Sequence, residues 1–303
     1  MFTLAHLSDL HMALQPRLGE LMSKRGLGFV NWHRKRKYIH RREVLDAVTY
    51  DLKAQPTDHI AVTGDLVNLS LPIEYARARQ WLEALGPPGE VTVVPGNHDV
   101  YIRAVSKAAS DYWGDYMRGD DGIVHFPFVR HRGDIALIAL STGVPTGPFM
   151  ATGWLGREQL SRFAEILDQT RGAFRVVLIH HPPLTPQHRA LRRMIDGSDF
   201  RGVLADKGAE LVLHGHDHRR AIVRLDGPNG TTIPVVGVPS ASADAPHGDE
   251  DGAGYHLFKI ARNSDGDSAN VDKKKAWHCE MIARQRDANG TIREIAREDL
   301  SPV

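Results

Sequence analysis

Five short apolar runs in this chain end directly in Asp, Asn or His side chains. The clearest run covers residues 91–94 and is followed by Pro95-Gly96-Asn97-His98-Asp99. The other runs lead into Asp9 and His11, into Asp65, into His180, and into His216 and His218. Apolar runs that stop at Gly and polar residues are typical of buried parallel strands, whose carboxyl ends collect ligand and catalytic sites. The pattern predicts a sheet with one chemically active edge.

Strands and helices alternate over the first hundred residues. Helical spacing of apolar residues occurs at 43–52 and 73–85, and apolar runs at 2–8, 58–63 and 91–94 flank these segments. Such alternation predicts βαβ units with parallel strands.

The second half of the chain has a different pattern. Runs at 123–130 and 134–141 have no helix between them, which predicts a hairpin and therefore mixed sheets. The remaining predictions are helices at 104–116, 156–167 and 200–207, strands at 174–179 and 210–213, and short β runs at 222–225, 233–236, 255–260, 277–283 and 291–295. We expect one domain over residues 1–260, with a C-terminal β extension over 261–303 packed on it.

Composition limits the function classes. A hydrophobic content of 42% and a net charge of +1 in 303 residues fit a soluble globular protein without a global field for nucleic acid. No segment reaches the roughly 18 to 20 apolar residues that cross a bilayer, and the N-terminus is interpreted as a first strand and not a signal peptide. The single Cys279 fits a reducing compartment, so we expect a cytoplasmic location, with the alternative of a peripheral membrane association.

The polar strand ends have the side chains of a transition-metal site. His nitrogens with Asp and Asn oxygens suit Mn²⁺, Fe²⁺, Co²⁺ or Zn²⁺, and not an all-oxygen Ca²⁺ site. Residues two apart point to the same side of an extended backbone, so Asp9 with His11 and His216 with His218 are expected to face one pocket. Seven ligands suffice for two ions if one carboxylate is shared, and paired ions clamp a phosphate and activate a water.

Four further residues near these motifs allow two interpretations each. His214 either faces the pocket or packs beneath it, and Tyr101 either lines the pocket or packs in the core. His181 is expected in the layer behind the ligands or on the surface, because it should point away from the side of His180. Asp99 is expected to support the loop rather than to bind metal.

The motif series resembles a known superfamily. Five motifs are similar, in order and roughly in spacing, to those of the calcineurin-like metallophosphoesterases. They are Asp9-Leu10-His11, Gly64-Asp65, Gly96-Asn97-His98-Asp99, His180 and Gly215-His216-Asp217-His218. The resemblance covers residues 3–245 and implies an α/β (α+β) fold. That fold is a four-layer αββα sandwich of two mixed sheets, with helices outside and a dinuclear metal site at the strand ends.

The resemblance also implies roles for individual residues. Asp9, His11 and His218 would bind one ion, Asn97, His180 and His216 would bind the other, and Asp65 would bridge them. His98 would be the histidine that is not a ligand and that meets the substrate phosphate or protonates the leaving oxygen. Many members have an Asp where this chain has Asn68, and there it orients the catalytic His, so we expect Asn68 to hold His98 less firmly.

The resulting functional hypothesis is a metal-dependent phosphodiesterase that acts by attack of a metal-bound hydroxide. Its substrate would be a small phosphodiester of the cyclic nucleotide or glycerophosphodiester type, since the sequence around Asn68 looks most like that branch. The alternatives are a phosphomonoesterase, a lipid-linked pyrophosphatase and a non-catalytic scaffold. The presence of all seven ligands and His98 argues against the scaffold. The sequence shows no dedicated nucleic-acid domain and does not indicate the oligomeric state.

The segment 17–42 is unlike the rest of the chain. It contains nine Lys or Arg and one Glu, interleaved with apolar residues that include Phe29 and Trp32. Its position after the first metal motif predicts an insertion near the rim of the site. Two interpretations remain open. The segment is either a solvated basic surface or a cap that attracts an anionic substrate or contacts anionic lipid, a nucleotide or single-stranded nucleic acid.

Overall fold

The computed structural model describes residues 1–12, 39–100, 107–147, 149–263 and 277–302. The strands are β1 (Phe2–Leu7), β2 (His59–Val62), β3 (Val91–Val93), β4 (Phe128–Arg132), β5 (Ile135–Ala139), β6 (Phe174–Leu178), β7 (Leu211–His214), β8 (Ala221–Asp226), β9 (Thr232–Gly237), β10 (Gly254–Arg262), β11 (Trp277–Arg286) and β12 (Ile292–Asp299). The α-helices are α1 (Arg42–Lys53), α2 (Pro72–Leu85), α3 (Ala108–Trp113), α4 (Arg157–Gln169) and α5 (Gly197–Lys207).

The described strands form two six-stranded mixed sheets. The first has the order β12-β11-β10-β1-β2-β3, with β1, β2 and β3 parallel and the three C-terminal strands antiparallel. The second has the order β4-β5-β6-β7-β9-β8, with four parallel strands between two antiparallel edges. The predicted combination of βαβ units and a hairpin is confirmed, the hairpin being β4–β5.

Alternation along the strands places one core between the sheets and another outside the second sheet. Along β6, Val176 and Leu178 pack in a cluster shared with the first sheet, whereas Val177 packs with α4 and α5. Helices α1 and α2 contribute the buried Val48 and Leu82 to the cluster of the first sheet. Burying each such side chain stabilises the fold by about 1.5–3 kcal/mol relative to exposure. The expected four-layer αββα arrangement is thus the one observed.

Helix α2 shows how local sequence fixes an element next to the site. Pro72 is its first residue, where a missing N–H costs nothing. The buried Glu74 carboxylate turns back and accepts hydrogen bonds from the backbone N–H of Leu69 (2.9 Å) and of Leu71 (3.0 Å). These bonds hold the connection between the end of β2 and the helix, and this connection contains Asn68.

One predicted strand begins later than its apolar pattern suggested. The prediction of a strand over 123–130 is wrong for its first part, since β4 covers Phe128–Arg132 and the side chain of Ile123 is exposed. Pro127 has no N–H to give to a strand ladder, so pairing starts after it. Of the predicted helix at 104–116, residues 107–116 are described and contain α3 followed by a 3₁₀ turn at 114–116.

The C-terminal residues extend the first sheet. β11 pairs with β10 over nine residue pairs, and β12 forms the edge of the sheet next to β11. The proposed division after residue 260 falls within β10, and the domain boundaries stay a prediction. The structure contains no helix in its described part that is long and apolar enough to cross a membrane.

Candidate metal and catalytic site

The predicted site residues meet at the carboxyl ends of β1, β2, β3, β6 and β7. The seven predicted ligands and His98, the predicted catalytic residue, are all buried, and His98 is the most accessible of the eight at 9%. The eight are Asp9, His11, Asp65, Asn97, His98, His180, His216 and His218. A buried group of this kind requires compensation for its charges, because isolated buried ions are costly.

The backbone that presents these residues is left-handed and not extended. The φ angles of Asp9, His11, His216 and His218 are 56°, 44°, 69° and 53°. The expectation that these pairs converge because they lie on extended backbone is therefore wrong, although their side chains do converge. Each such residue costs on the order of 1–3 kcal/mol, a strain found where surrounding structure over-determines a functional site.

Two glycines let the strand ends approach closely. A side chain at Gly96 would collide with the Asp65 carboxylate, and one at Gly215 would collide with Ser8 and with the Asp9 carboxylate. The missing side chains allow backbone N–H groups to reach these carboxylates, as His98 N donates to Asp65 Oδ1 at 2.8 Å.

The first donor cluster consists of Asp9, His11 and His218. His218 Nε2 lies 3.1 Å from Asp9 Oδ1 and 3.1 Å from His11 Nε2, and Asp9 Oδ1 lies 3.7 Å from His11 Nε2. One carboxylate oxygen and two imidazole nitrogens therefore converge from two strand ends. His11 and His218 are 207 residues apart in the sequence.

The second donor cluster consists of Asn97, His180 and His216. His180 Nε2 lies 3.3 Å from Asn97 Oδ1 and 3.2 Å from His216 Nδ1. Asp65 Oδ2 lies 3.4 Å from His180 Nε2 and 4.0 Å from His11 Nε2, so this carboxylate stands between the two clusters. This is the arrangement that the resemblance implied for a bridging ligand.

Hydrogen bonds behind the ligands decide which ring nitrogens face inward. His180 Nδ1 donates to the carbonyl of Thr63 at 2.6 Å, and His216 Nε2 donates to the carbonyl of Arg192 at 3.0 Å. A carbonyl only accepts, so in the neutral rings the inward nitrogens, 3.2 Å apart, both hold lone pairs. Two facing lone pairs require a proton or a cation between them, and metal-ligating histidines typically have such carbonyl partners. The donor set therefore fits a metal ion.

The pKa values show the same demand for positive charge. Burial alone would disfavour a charged His180, but Asp65 outweighs it and raises the pKa of His180 to about 9. Against the same effect of burial, Asp9 raises the pKa of His218 to about 9. Burial also works against the charged carboxylate of Asp65, yet the histidines around it hold its pKa below its usual range. In the absence of metal, protons would take the place of the cation.

His98 lies beside the clusters and is held by the main chain. Its Nδ1 donates to the carbonyl oxygen of Asn68 at 2.6 Å, and its ring stands at 89° to that of His11, with centroids 4.9 Å apart. Asn68 itself is buried. The contact described here is made by the Asn68 backbone carbonyl. The expectation that Asn68 holds His98 less firmly than an Asp would stays a prediction.

The loop that contains Asn97 and His98 is fixed by Asp99. Its carboxylate accepts hydrogen bonds from the N–H of Leu66 (2.9 Å), Val67 (3.1 Å) and Gly96 (2.9 Å). It thereby joins the ends of β2 and β3. These bonds agree with the expectation that Asp99 supports the loop.

The remaining candidates are buried beside the donor clusters or lie outside the described residues. His181 is fully buried, with Nδ1 2.8 Å from Thr142 Oγ1 and Nε2 3.2 Å from the carbonyl of Ala151, so the surface alternative is wrong. His214 is also buried, with Nδ1 2.9 Å from the carbonyl of Gly215. Tyr101 lies outside the described residues, as does segment 17–42 up to residue 38.

Two residues beside the donor clusters escaped the sequence interpretation. Glu250 accepts a hydrogen bond from His218 Nδ1 at 2.8 Å, and the only sequence signal was an acidic loop at 249–251. His40 presents a ring nitrogen within 4.8 Å of the donor nitrogens of His11 and His218, and its Nδ1 lies 2.9 Å from Ser242 Oγ. His40 lies near the end of segment 17–42 and does not follow an apolar run, so the strand-end pattern did not select it.

Comparison with protein families identifies the chain. The family model of the calcineurin-like phosphoesterases matches residues 2–220. The chain belongs to this family. Members of the calcineurin-like phosphoesterase family are metal-dependent hydrolases that typically bind two divalent ions, and the His and Asp clusters of this chain can hold metal ions.

Two curated calcineurin-like relatives are named as phosphodiesterases. A probable cyclic nucleotide phosphodiesterase of Synechococcus sp. is 29% identical over 183 residues, which cover 58% of this chain and 64% of that protein. A glycerophosphodiester phosphodiesterase of Enterobacter lignolyticus is 28% identical over 244 residues, which cover 77% of each chain. The chain thus spans less than two thirds of the Synechococcus protein.

Solved structures confirm the fold at low sequence identity. A dimetal phosphatase from Danio rerio has a TM-score of 0.55 and 12% identity, and the match covers 99% of this chain and 98% of that one. A purple acid phosphatase from yellow lupin also has a TM-score of 0.55 and 12% identity, with coverage of 97% and 52%.

Proposed function

We propose that this calcineurin-like phosphoesterase hydrolyses a small phosphodiester with two divalent metal ions. The observation that supports the proposal most directly is the position of Asp65 Oδ2 between the two donor clusters, 3.4 Å from His180 Nε2 and 4.0 Å from His11 Nε2. A shared carboxylate lets seven protein ligands serve two ions. When bound, such ions supply an activated water and offset the charge of phosphoryl oxygens.

The protein's own residues would position the reaction around these ions. Asp9, His11 and His218 would hold one ion, and Asn97, His180 and His216 the other. The carbonyls of Thr63 and Arg192 keep the inward nitrogens of the second cluster available for coordination.

His98 would meet the substrate and not the metal. With Nδ1 donated to the Asn68 carbonyl, the ring is oriented, and a protonated His98 can give a hydrogen bond to a phosphoryl oxygen or a proton to the leaving oxygen. The Asp99 bonds to both strand ends keep this ring beside Asp65.

The names of the relatives support a diester rather than a monoester as the substrate. Both curated relatives are named as phosphodiesterases, one for cyclic nucleotides and one for glycerophosphodiesters. These two chemical types are the first substrates to examine. The cytoplasmic location and the lipid or nucleotide contact of segment 17–42 stay predictions.

A direct test compares bis(p-nitrophenyl) phosphate with p-nitrophenyl phosphate in the presence of Mn²⁺. We expect kcat/KM for the diester to exceed that for the monoester at least tenfold, and Asp65→Ala to abolish turnover of both. A preference for the monoester would contradict the phosphodiesterase proposal. No turnover of either compound with Mn²⁺, Fe²⁺, Co²⁺ or Zn²⁺ would contradict hydrolysis altogether. A panel of cyclic nucleotides and glycerophosphodiesters then identifies the preferred diester.

A further inference from the structure

An exposed apolar surface lies beside the second donor cluster. It consists of six large apolar side chains from two segments, residues 149–154 and 184–195, and we refer to it as the apolar rim. Phe149 is 83% exposed and Trp154 is 52% exposed. The members of the apolar rim are Phe149, Met150, Trp154, Leu184, Leu191 and Ile195. Grouped exposure of large apolar residues usually marks an interaction site, whereas scattered exposure does not.

The two segments of the apolar rim form one surface because their backbones are hydrogen-bonded. Ala151 N donates to the carbonyl of Leu191 at 2.8 Å, and Gly153 N donates to the carbonyl of Arg193 at 3.0 Å. Ile195 N donates in turn to the carbonyl of Gly153 at 2.8 Å. These bonds fix the backbone at residues 151–153 against that at residues 191–195.

The same backbones are joined to the candidate metal site. His216 Nε2 donates to the carbonyl of Arg192 at 3.0 Å, and the Arg192 guanidinium donates to the carbonyl of His216 at 2.8 Å. His181 Nε2 lies 3.2 Å from the carbonyl of Ala151. A partner that binds the apolar rim is therefore placed next to the entrance of the second donor cluster.

The charged residues within the two segments of the apolar rim are all positive. Residues 147–157 and 184–195 contain four Arg and no Asp or Glu. Arg189 is paired with Asp217 and Asp249 from other segments. In the described part of the chain no ion pair joins Arg157 or Arg193 to an acidic side chain, and both are exposed. The surface thus combines Trp, Phe and aliphatic side chains with uncompensated guanidinium groups.

This combination favours an anionic lipid surface over a second copy of the chain. A two-fold symmetric dimer through the apolar rim would bring the arginines of one copy towards those of the other. An anionic bilayer would bury the apolar side chains in the acyl boundary and place lipid phosphates against the arginines. Aromatic side chains such as Trp154 are also favoured at the depth of the headgroups.

We propose that the apolar rim docks the protein onto an anionic lipid bilayer, with the second donor cluster facing the membrane. This docking does not depend on the proposed hydrolysis, since it uses none of the metal ligands. It goes beyond the proposed function by placing the site where membrane-borne phosphodiesters are accessible.

The test is co-sedimentation of the metal-loaded full chain with vesicles of phosphatidylglycerol and phosphatidylcholine, or of phosphatidylcholine alone. We expect binding to the anionic vesicles and at least tenfold weaker binding to the neutral ones. The double variant Phe149→Ser, Trp154→Ser and the double variant Arg157→Gln, Arg193→Gln should each lose at least tenfold in affinity. Both should turn over bis(p-nitrophenyl) phosphate as the wild type does.

A matched control removes equally exposed apolar residues elsewhere. Tyr50 is 81% exposed on α1, and Ile295 is 50% exposed on β12, so the double variant Tyr50→Ser, Ile295→Ser should bind vesicles as the wild type does. The proposal is overturned if the wild type does not bind anionic vesicles, or if the two double variants of the apolar rim still bind normally. It is also overturned if light scattering shows a dimer in solution that the variant lacking Phe149 and Trp154 cannot form.

Discussion

The Nδ1 nitrogen of His98 donates a hydrogen bond of 2.6 Å to the backbone carbonyl of Asn68. A carbonyl in this position accepts the Nδ1–H and orients the ring. Every residue type at position 68 offers the same carbonyl, provided that the backbone keeps its path. The connection between β2 and α2 thus contributes to the orientation of His98 through its backbone.

This geometry predicts different consequences for substitutions at the two positions. Asn68→Asp should change kcat for bis(p-nitrophenyl) phosphate by less than about tenfold, since the carbonyl remains. His98→Ala should lower kcat by about two to four decades, the usual contribution of a positioned proton donor. Elemental analysis should find an unchanged metal content in both variants. A fully active His98→Ala protein would exclude the proposed role of this residue.

Removal of the shared carboxylate should affect both metal positions together. Asp65 Oδ2 lies between the clusters, and Asp65 Oδ1 accepts the N–H of His98, so Asp65→Ala removes a ligand from each ion and loosens the catalytic loop. We expect loss of both ions and of all measurable turnover. Metal content and turnover are measured together, and circular dichroism checks that the variant is folded. A variant that retains one ion at full occupancy would argue against a bridging role.

Glu250 should tune the first metal position without binding the metal itself. Its carboxylate accepts from His218 Nδ1 at 2.8 Å, and loss of such a partner typically weakens metal affinity by about 10–100-fold. We expect this loss in Glu250→Gln, measured by competition with a chelator. The matched control is Asp249→Asn, because the Asp249 carboxylate pairs with Arg189 and Arg219 and not with a ligand. Equal affinities of the two variants would show that Glu250 only packs against the site.

Buried histidines remote from the site should make the fold sensitive to acid. Burial, with a smaller effect of Arg220, lowers the pKa of His256 from 6.5 to about 3. Below pH 6.5 the unfolded chain therefore binds a proton at His256 that the folded chain does not bind. The free energy of unfolding falls as the pH drops from about 6.5 towards 3. At pH 5 this effect lowers the free energy of unfolding by about 2 kcal/mol relative to pH 7.

Urea unfolding of the metal-loaded protein at pH 7 and pH 5 measures this effect. The loss of unfolding free energy between the two pH values should be smaller in His256→Leu than in the wild type by that amount. His188→Gln, which changes an exposed histidine, should behave as the wild type. An identical pH dependence in His256→Leu would show that another group dominates acid sensitivity.

The sequence alone was enough to select the residues that converge at the candidate site. Asp9, Asp65, Asn97, His180 and His216 each follow an apolar run, and parallel strands bring such ends to one edge by geometry. The apolar runs at 2–8, 58–63 and 91–94 and the helical spacing at 43–52 and 73–85 were likewise sufficient for the order of the elements in the first hundred residues. These signals are local, so they survive without knowledge of the three-dimensional fold.

Only the tertiary structure decided how those residues are held. The left-handed backbone at His11 and His218, the carbonyl that orients His98 and the carboxylate of Glu250 behind His218 all depend on contacts between distant segments. A backbone carbonyl has no signature in a sequence, because every residue has one. The apolar rim is equally invisible there, since exposure of Phe149 or Trp154 is a result of packing and not of residue type. The chemistry of the site is thus local information, while its orientation and its surroundings follow from the packing of segments that are far apart in the chain.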